Sequence, residues 1–313
     1  MKHDYLIRAI AANEQIRAFA VDTTGICEYA RKIHDNSPIA TAALGRLMSA
    51  GLMMGQMLKS DEDKLTLQIL GDGPMHHIIV TSNIRGTVRG YVSNPSVIVP
   101  PKSNGHFDIS GAIGPNGTLT VIRDMGLKEP YVSSIDLHSG EIADDLTYYF
   151  AQSEQTPTSV GLGVLMNHDN TVRVSGGFII QLMPFTKKEV IDQLEKNLKE
   201  FPTVTDVLKE GNTIEDMLRM VLKGFDMEIT DTKPVSWYCN CSFERGKEVL
   251  GTLKDDELQS MIDESKNIEV NCDFCGKHYV YTPDDLKEIL EHKHQNEANN
   301  LDIPANEGWD NVL

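Results

Sequence analysis

Four of the five cysteines in this 313-residue chain crowd into one stretch. They stand as Cys239-x-Cys241 and Cys272-x-x-Cys275, near the C-terminal end. Four thiolates in two close pairs are the donor set of a tetrahedral zinc centre, with Zn–S bonds of about 2.3 Å. Gly276, directly after the second pair, suits the tight turn such a centre needs. Ser242–Val270, between the pairs, holds a helical pattern over Lys254–Ser265. The whole segment Ser236–Tyr281 is too small for a core of its own, so a metal or disulfides are expected to hold it. The expectation is therefore one zinc per chain on Cys239, Cys241, Cys272 and Cys275. His278 lies close to Cys275 but is surplus to four thiolates. Cys27 stands apart and reads as a small buried residue.

The pattern admits two roles. One is a constitutive zinc ribbon, although ribbons normally use two Cys-x-x-Cys knuckles. The other is a redox switch. A single residue between Cys239 and Cys241 brings their sulfurs close enough for a disulfide, and a strained disulfide is of the labile, regulatory kind. Zinc-held thiolates remain nucleophilic toward peroxide or hypochlorite. Oxidising any ligand would weaken the site and unfold what depends on it. Spacing alone leaves both roles open. A thiol–disulfide oxidoreductase using Cys272-x-x-Cys275 is a third reading, but no thioredoxin-like βαβ pattern surrounds the motif.

Composition excludes other classes. Hydrophobic residues make up 40% and charged residues 24%, so a wholly disordered chain is not expected. The net charge of −17 opposes a zinc-ribbon nucleic-acid binder, because the chain repels phosphate backbones. The charge is uneven: 18 acidic and 14 basic residues precede residue 186, and 28 and 15 follow, which hints at a boundary near 185. No apolar run is long enough to span a membrane, and the N-terminus lacks a signal-peptide core, so the cytoplasm is the expected compartment. No GxxxxGK[ST] loop is present, which argues against an ATP-driven foldase. Asp144-Asp145 and Asp61-Glu62-Asp63 read as solvated helix-start and turn acids, with no glycosidase-like site.

The first 185 residues read as α+β, a mostly antiparallel sheet with helices on one side. Ser37 and Pro38 open a helix to about Lys59 as N-cap and N1. Its stripe includes Met48, Met53, Met54 and Met57, which reads as core rather than as a binding surface. Strands are expected at Lys64–Leu70, His77–Ser82, Gly86–Ser93, Thr118–Arg123, Tyr131–His138, Gly161–Met166 and Thr171–Met183, and a helix at Glu141–Ser153. Beyond Phe185 the expectation is a helical linker, residues 186–235. Thr186 with Glu189 makes one capping-box pattern and Thr213 with Asp216 another. A short helix over Val204–Glu210 stops at Gly211. The stripe Ile214, Met217, Leu218, Val221 and Leu222 cannot be buried by its own helix and must lean on the sheet or a partner. Asp226–Val235 reads as linker, 236–292 as the cysteine domain with a short helix at Pro283–Glu291, and 293–313 as a disordered tail.

The cysteine order, near the end of a chain of this length, resembles the bacterial redox-regulated heat-shock chaperone family, the 33 kDa chaperonins. The resemblance runs along the chain through SPIATAALGRLMSAGLMMG (37–55), LQILGDGP (67–74), VRGYVSNP (88–95), DMGLKEPYVSS (124–134), SGEIADDLTYYFAQSEQTP (139–157) and GGFIIQLMP (176–184). It implies an ATP-independent holdase rather than an enzyme. In the reduced state the four cysteines would bind zinc and the chaperone would rest. Oxidants would form Cys239–Cys241 and Cys272–Cys275 disulfides, eject zinc, unfold the C-terminal domain and loosen the linker. Surface for unfolded client proteins would then be exposed, and oxidised subunits would form homodimers.

Overall fold

The computed structural model describes residues 4–301, with the chain divided into two units between Cys239 and Asn240. The first unit opens with a hairpin, β1 (Tyr5–Ala11) and β2 (Ile16–Asp22), then helices α1 (Thr24–His34) and α2 (Pro38–Gly55). Next come β3 (Lys64–Gly71), β4 (His77–Asn83), β5 (Thr87–Val92), the short α3 (Ile109–Ile113), β6 (Gly117–Asp124) and β7 (Tyr131–Asp136). They are followed by α4 (Ile142–Gln152), β8 (Thr158–Met166), β9 (Val172–Leu182), α5 (Lys188–Glu200), α6 (Val204–Lys209), α7 (Ile214–Val221), β10 (Met227–Pro234) and β11 (Ser236–Trp237). The second unit holds α8 (Phe243–Leu250), α9 (Asp255–Asp263), β12 (Ile268–Asn271), β13 (His278–Tyr281) and α10 (Pro283–Leu301).

The first unit is α+β, with two sheets. One has the order β10-β1-β2-β9-β8 and the other β11-β5-β4-β3-β6-β7. Every pairing is antiparallel except β11 with β5. Alternation explains why the five-stranded sheet can serve two cores. On β2, Phe19 and Val21 join the core shared with α1 and α2, while Ile16, Ala18 and Ala20 point into a second core with α5–α7. Ile7, Ala9 and Ala11 of β1 and Phe178 and Ile180 of β9 line that second core too. Helices therefore cover both faces of this sheet, not one side as the strand pattern suggested. A period-2 signal reports which face each residue takes but not what lies against it.

Helix α2 packs against strands of both sheets. Ser37 accepts from the Ala40 amide and Pro38 takes the first turn, as expected. The helix stops at Gly55, short of Lys59. Its small residues set the close approach. A Cβ at Gly45 would lie 2.5 Å from Cys27 Sγ of α1 and 2.9 Å from Val164 Cγ2 of β8, in one sheet, and a Cβ at Gly51 would lie 2.9 Å from Val80 Cγ1 of β4, in the other. Met48, Met53 and Met54 are buried, so the methionine stripe is core. The hydroxyl of Thr23 meets Ser49 and Ser175, each at 2.8 Å, and this small network satisfies polar groups under α2.

Residues 186–235 fold as part of the first unit. The Thr213–Asp216 capping box forms, with Thr213 Oγ1 accepting from the Asp216 amide and Asp216 accepting from the Thr213 amide. The one expected at Thr186 does not. Thr186 instead donates to the carbonyl oxygens of Gln15 and Met183, and α5 starts after Lys187 with no side-chain cap. Asp226–Val235 is not a linker: most of it is β10, an edge strand antiparallel to β1. Its burial is slight, so it carried no apolar alternation by which to be recognised.

The second unit does have a small core, built from Leu250, Leu258, Ile262, Tyr281, Leu286 and Ile289. Gly246 of α8 lets the Tyr281 ring close in, since a Cβ there would overlap the tyrosine hydroxyl. Tyr281 donates to the Phe243 carbonyl at 2.8 Å and its ring stacks on Phe243 at 4.5 Å. Helix α10 runs on to Leu301, through the first part of the segment expected to be disordered. The rest of that expectation, 302–313, lies outside the described residues. Asp145 also departs from its reading. It is fully buried, and its Oδ1 accepts from the amides of His138, Ser139 and Gly140. Asp63 is likewise buried, bonded to the Lys59 and Ser60 amides. Both are loop-fastening acids.

Candidate metal centre

The second cysteine pair sits in the turn of a hairpin. β12 and β13 pair from Ile268–Tyr281 down to Asn271–His278, and the six residues between carry both sulfurs. The amides of Cys275 and Gly276 donate to the Cys272 carbonyl at 3.2 and 2.8 Å, and the Cys272 amide donates to the Lys277 carbonyl at 2.9 Å. Gly276 has φ of 68°, a left-handed value that a side chain would strain, as its position after the pair suggested. The first pair lies between β11 and α8. Ser242, next to Cys241, caps α8 by accepting from the Arg245 amide at 3.1 Å. Each pair is thus fixed by local turn or cap chemistry that the sequence carries.

The sulfurs of Cys239, Cys241, Cys272 and Cys275 lie within 4.8 Å of one another, and all five cysteines of the chain are thiols. Tetrahedral coordination at about 2.3 Å implies sulfur separations near 3.8 Å, so this cluster fits a single ion with little adjustment. Cys241 and Cys275 are already at 3.2 Å. Tyr279 donates its hydroxyl to Cys241 Sγ at 3.2 Å, and Arg89 donates to Cys239 Sγ at 3.6 Å. Donors of this kind orient ligand sulfurs and spread their charge. The bond to Cys241 holds the Tyr279 phenol well above the ordinary tyrosine range, so it remains a donor. Neither Tyr279 nor Arg89 was singled out from sequence. Tyr279 could have been, as an aromatic donor four residues past Cys275.

The remaining candidates fall outside the cluster. His278 is exposed and its Nδ1 meets Asn271 Oδ1 at 2.5 Å. His294 pairs with Asp255 at 2.6 Å. Cys27 is buried, and burial pushes its thiol up to about 12. It is therefore both hidden and protonated at neutral pH. With a chelator present, a thiol reagent is expected to modify the four cluster cysteines of the native chain, and Cys27 only after denaturation. Mass spectrometry of the labelled protein checks this; early labelling of Cys27 would contradict it.

Comparison with known proteins places the chain. The family model described as "Hsp33 protein" matches residues 4–282. The 33 kDa chaperonin of Lachnoclostridium phytofermentans is 51% identical over 288 residues, covering 92% of this chain and 98% of that protein. That of Clostridioides difficile is 48% identical, covering 92% and 99%. The crystal structure of the 33 kDa chaperonin (heat shock protein 33 homolog) from Thermotoga maritima matches with a TM-score of 0.84 at 36% identity, over 94% of this chain and all of that one. An α+β chain with relatives of this kind defines a class, the proteins named as chaperonins of about 33 kDa. The chain belongs to the Hsp33 family.

Proposed function

We propose that the chain is a redox-regulated, ATP-independent holdase that protects unfolded proteins in the cytoplasm under oxidative stress, and that it is not an enzyme. The observation that carries this is the convergence of Cys239, at the end of the first unit, with Cys241, Cys272 and Cys275 of a second unit whose core, among the described residues, has six buried apolar side chains. Such a unit relies on its metal, and thiols are the one ligand type that an oxidant removes. Zinc, when bound, would keep the four sulfurs deprotonated and still nucleophilic toward an oxidant.

One hydrogen peroxide takes two electrons from two thiols. A thiolate of one pair attacks the peroxide oxygen and becomes a sulfenic acid, releasing one water once protonated. Its partner thiol then displaces a second water to close the disulfide. Cys239 with Cys241 and Cys272 with Cys275 are the proposed pairs. Loss of the ligands frees the ion and unfolds residues 236–292. The 186–235 segment is the proposed second responder. Its Met217, Leu218 and Val221 are docked on the five-stranded sheet, with Met220 left 40% exposed. Released, these side chains form an apolar surface for clients, and homodimers of oxidised chains follow. No helix among the described residues is long and apolar enough to cross a membrane.

Peroxide with mild heating is expected to release one zinc per chain, read with a colorimetric chelator. In parallel the oxidised protein should suppress light scattering by a denatured client. Zinc that stays bound, with no suppression, would leave only a structural zinc centre.

A further inference from the structure

We propose that Asn104 is a site of spontaneous covalent modification, where the side-chain amide cyclises onto the nitrogen of Gly105 and the ring opens to an aspartyl or isoaspartyl residue.

This chemistry needs an asparagine followed by a residue that leaves the next backbone nitrogen open to attack the side chain. Glycine does so best, having no Cβ and the freest backbone. The chain has two such pairs, Asn104-Gly105 and Asn116-Gly117. Both asparagines are exposed, so exposure does not separate them. Their surroundings do.

Asn104 sits in the loop between β5 and α3. There the Lys102 amide donates to the His106 carbonyl and the Gly105 amide to the Lys102 carbonyl, each at 2.8 Å. Gly105 has φ of 80°, and a Cβ built there would meet no atom within 4 Å. The His106 amide donates to Asn104 Oδ1 at 3.0 Å. That bond has two effects. It keeps the side-chain carbonyl folded over the Gly105 nitrogen, since the ring it closes contains that nitrogen. It also polarises the carbonyl, and the same donor serves the oxyanion that forms when the nitrogen attacks. The bond that engages the nucleophile, from Gly105 to Lys102, lies in an exposed turn that opens at little cost.

Asn116 is held away from the same path. Its Nδ2 donates to Asp72 Oδ2 at 2.7 Å and its backbone amide to Asp72 Oδ1 at 3.2 Å. The Asp72 amide donates in turn to the Asn116 carbonyl at 3.0 Å. Gly117 opens β6 opposite Gly71, so close to β3 that a Cβ would overlap the Leu70 carbonyl. The leaving amide is thus fastened to a carboxylate, and the peptide that must rotate is fixed in a sheet.

At Asn104 the Gly105 nitrogen gives its proton to a solvent base and attacks Cγ. The Cγ–Nδ2 bond breaks and Nδ2 departs as ammonia, leaving a succinimide. Water then opens the ring. Attack on Cγ gives aspartate; attack on the backbone carbonyl carbon gives isoaspartate, with the chain running through Cβ and Cγ. The sum is one water in and one ammonia out. Either product adds a carboxylate to the turn that carries Lys102, whose Nζ donates to Glu141 at 2.7 Å.

Trypsin releases both asparagines on one peptide, Ser103–Arg123, so both sites are read in one spectrum. The full chain, reduced and supplied with zinc, would be held at mildly alkaline pH and sampled over days. Asn104 should convert at least about tenfold faster than Asn116, the effect of two hydrogen bonds to a carboxylate. In denaturant the two rates should converge. Gly105→Ala should slow Asn104 several-fold, and Asp72→Ala should bring Asn116 up toward it. A methyltransferase specific for isoaspartyl carboxylates should label the aged chain and label the aged Asn104→Gln variant far less. Equal rates at the two sites of the folded chain, or an Asn104 that converts only in denaturant, would overturn the proposal. An Asn116 that stays slow in a folded Asp72→Ala chain would overturn the role given to Asp72.

Discussion

Cys272→Ser and Cys275→Ser are each expected to abolish tight metal binding and unfold the second unit, while the first unit keeps its structure. A structural four-cysteine zinc site contributes about 10–16 kcal/mol of apparent folding free energy at neutral pH. Below about 80 residues a hydrophobic core rarely supplies more than about 5 kcal/mol. The second unit, with six buried apolar side chains in its core among the described residues, belongs to that regime. A serine hydroxyl is not ionised at neutral pH and is a poor ligand for a thiophilic ion. The knuckle also depends on the pair: the amides of Cys275 and Gly276 close on the Cys272 carbonyl, a turn with little reason to persist once its sulfurs hold nothing. The first unit has two cores of its own, neither of which includes a residue beyond Cys239. Zinc content by atomic emission and amide exchange by mass spectrometry would check this. Loss of protection in β1, β2 and β9 of such a variant would show that the first unit does not stand alone.

Much of this arrangement was visible in the sequence, for identifiable reasons. Four cysteines in two close pairs leave few alternatives, and the Gly276 turn follows from steric need at one position. Strands with one buried face, such as β3 to β6, announce themselves by alternation, and Thr213 announces α7 through its cap. What escaped detection lacks such local marks. β10 is an exposed edge strand with charged residues on both faces, so only its pairing with β1 makes it a strand. Thr186 and Glu189 have capping-box spacing, but Gln15 offers the Thr186 hydroxyl a competing carbonyl from far along the chain. Asp145 has the same composition signal as a solvated acid. Its burial comes from the loop that folds over it, and desolvation pushes its carboxyl above the ordinary aspartate range despite three amide donors. The core of the second unit was missed because its members are spread over α8, α9, β13 and α10, each of which contributes only one or two buried side chains. Arg89 became part of the site only through tertiary contact, 150 residues from Cys239.

Met217→Glu should convert the resting chain into one that binds clients without oxidant. Met217 is fully buried in the second core, with Leu218, Val221 and Ile214 of the same helix, against Ile7, Ala9 and the small residues of β2. An ionised side chain there must leave, or be protonated at a cost of several pKa units. Helix α7 has eight residues and is too short to persist in water undocked. Leaving the sheet therefore means losing the helix, and α5 and α6, which pack on it, lose part of their support. The metal centre is not touched by the substitution, so zinc content should stay at one per chain while far-UV helix signal falls. Suppression of client aggregation in the reduced, zinc-loaded state is the decisive readout. Under the proposed function, exposure of the 186–235 segment is sufficient and the cysteines act only as its trigger. A variant that loses helix but protects no client would place the client surface elsewhere, and would separate the switch from the surface it was thought to release.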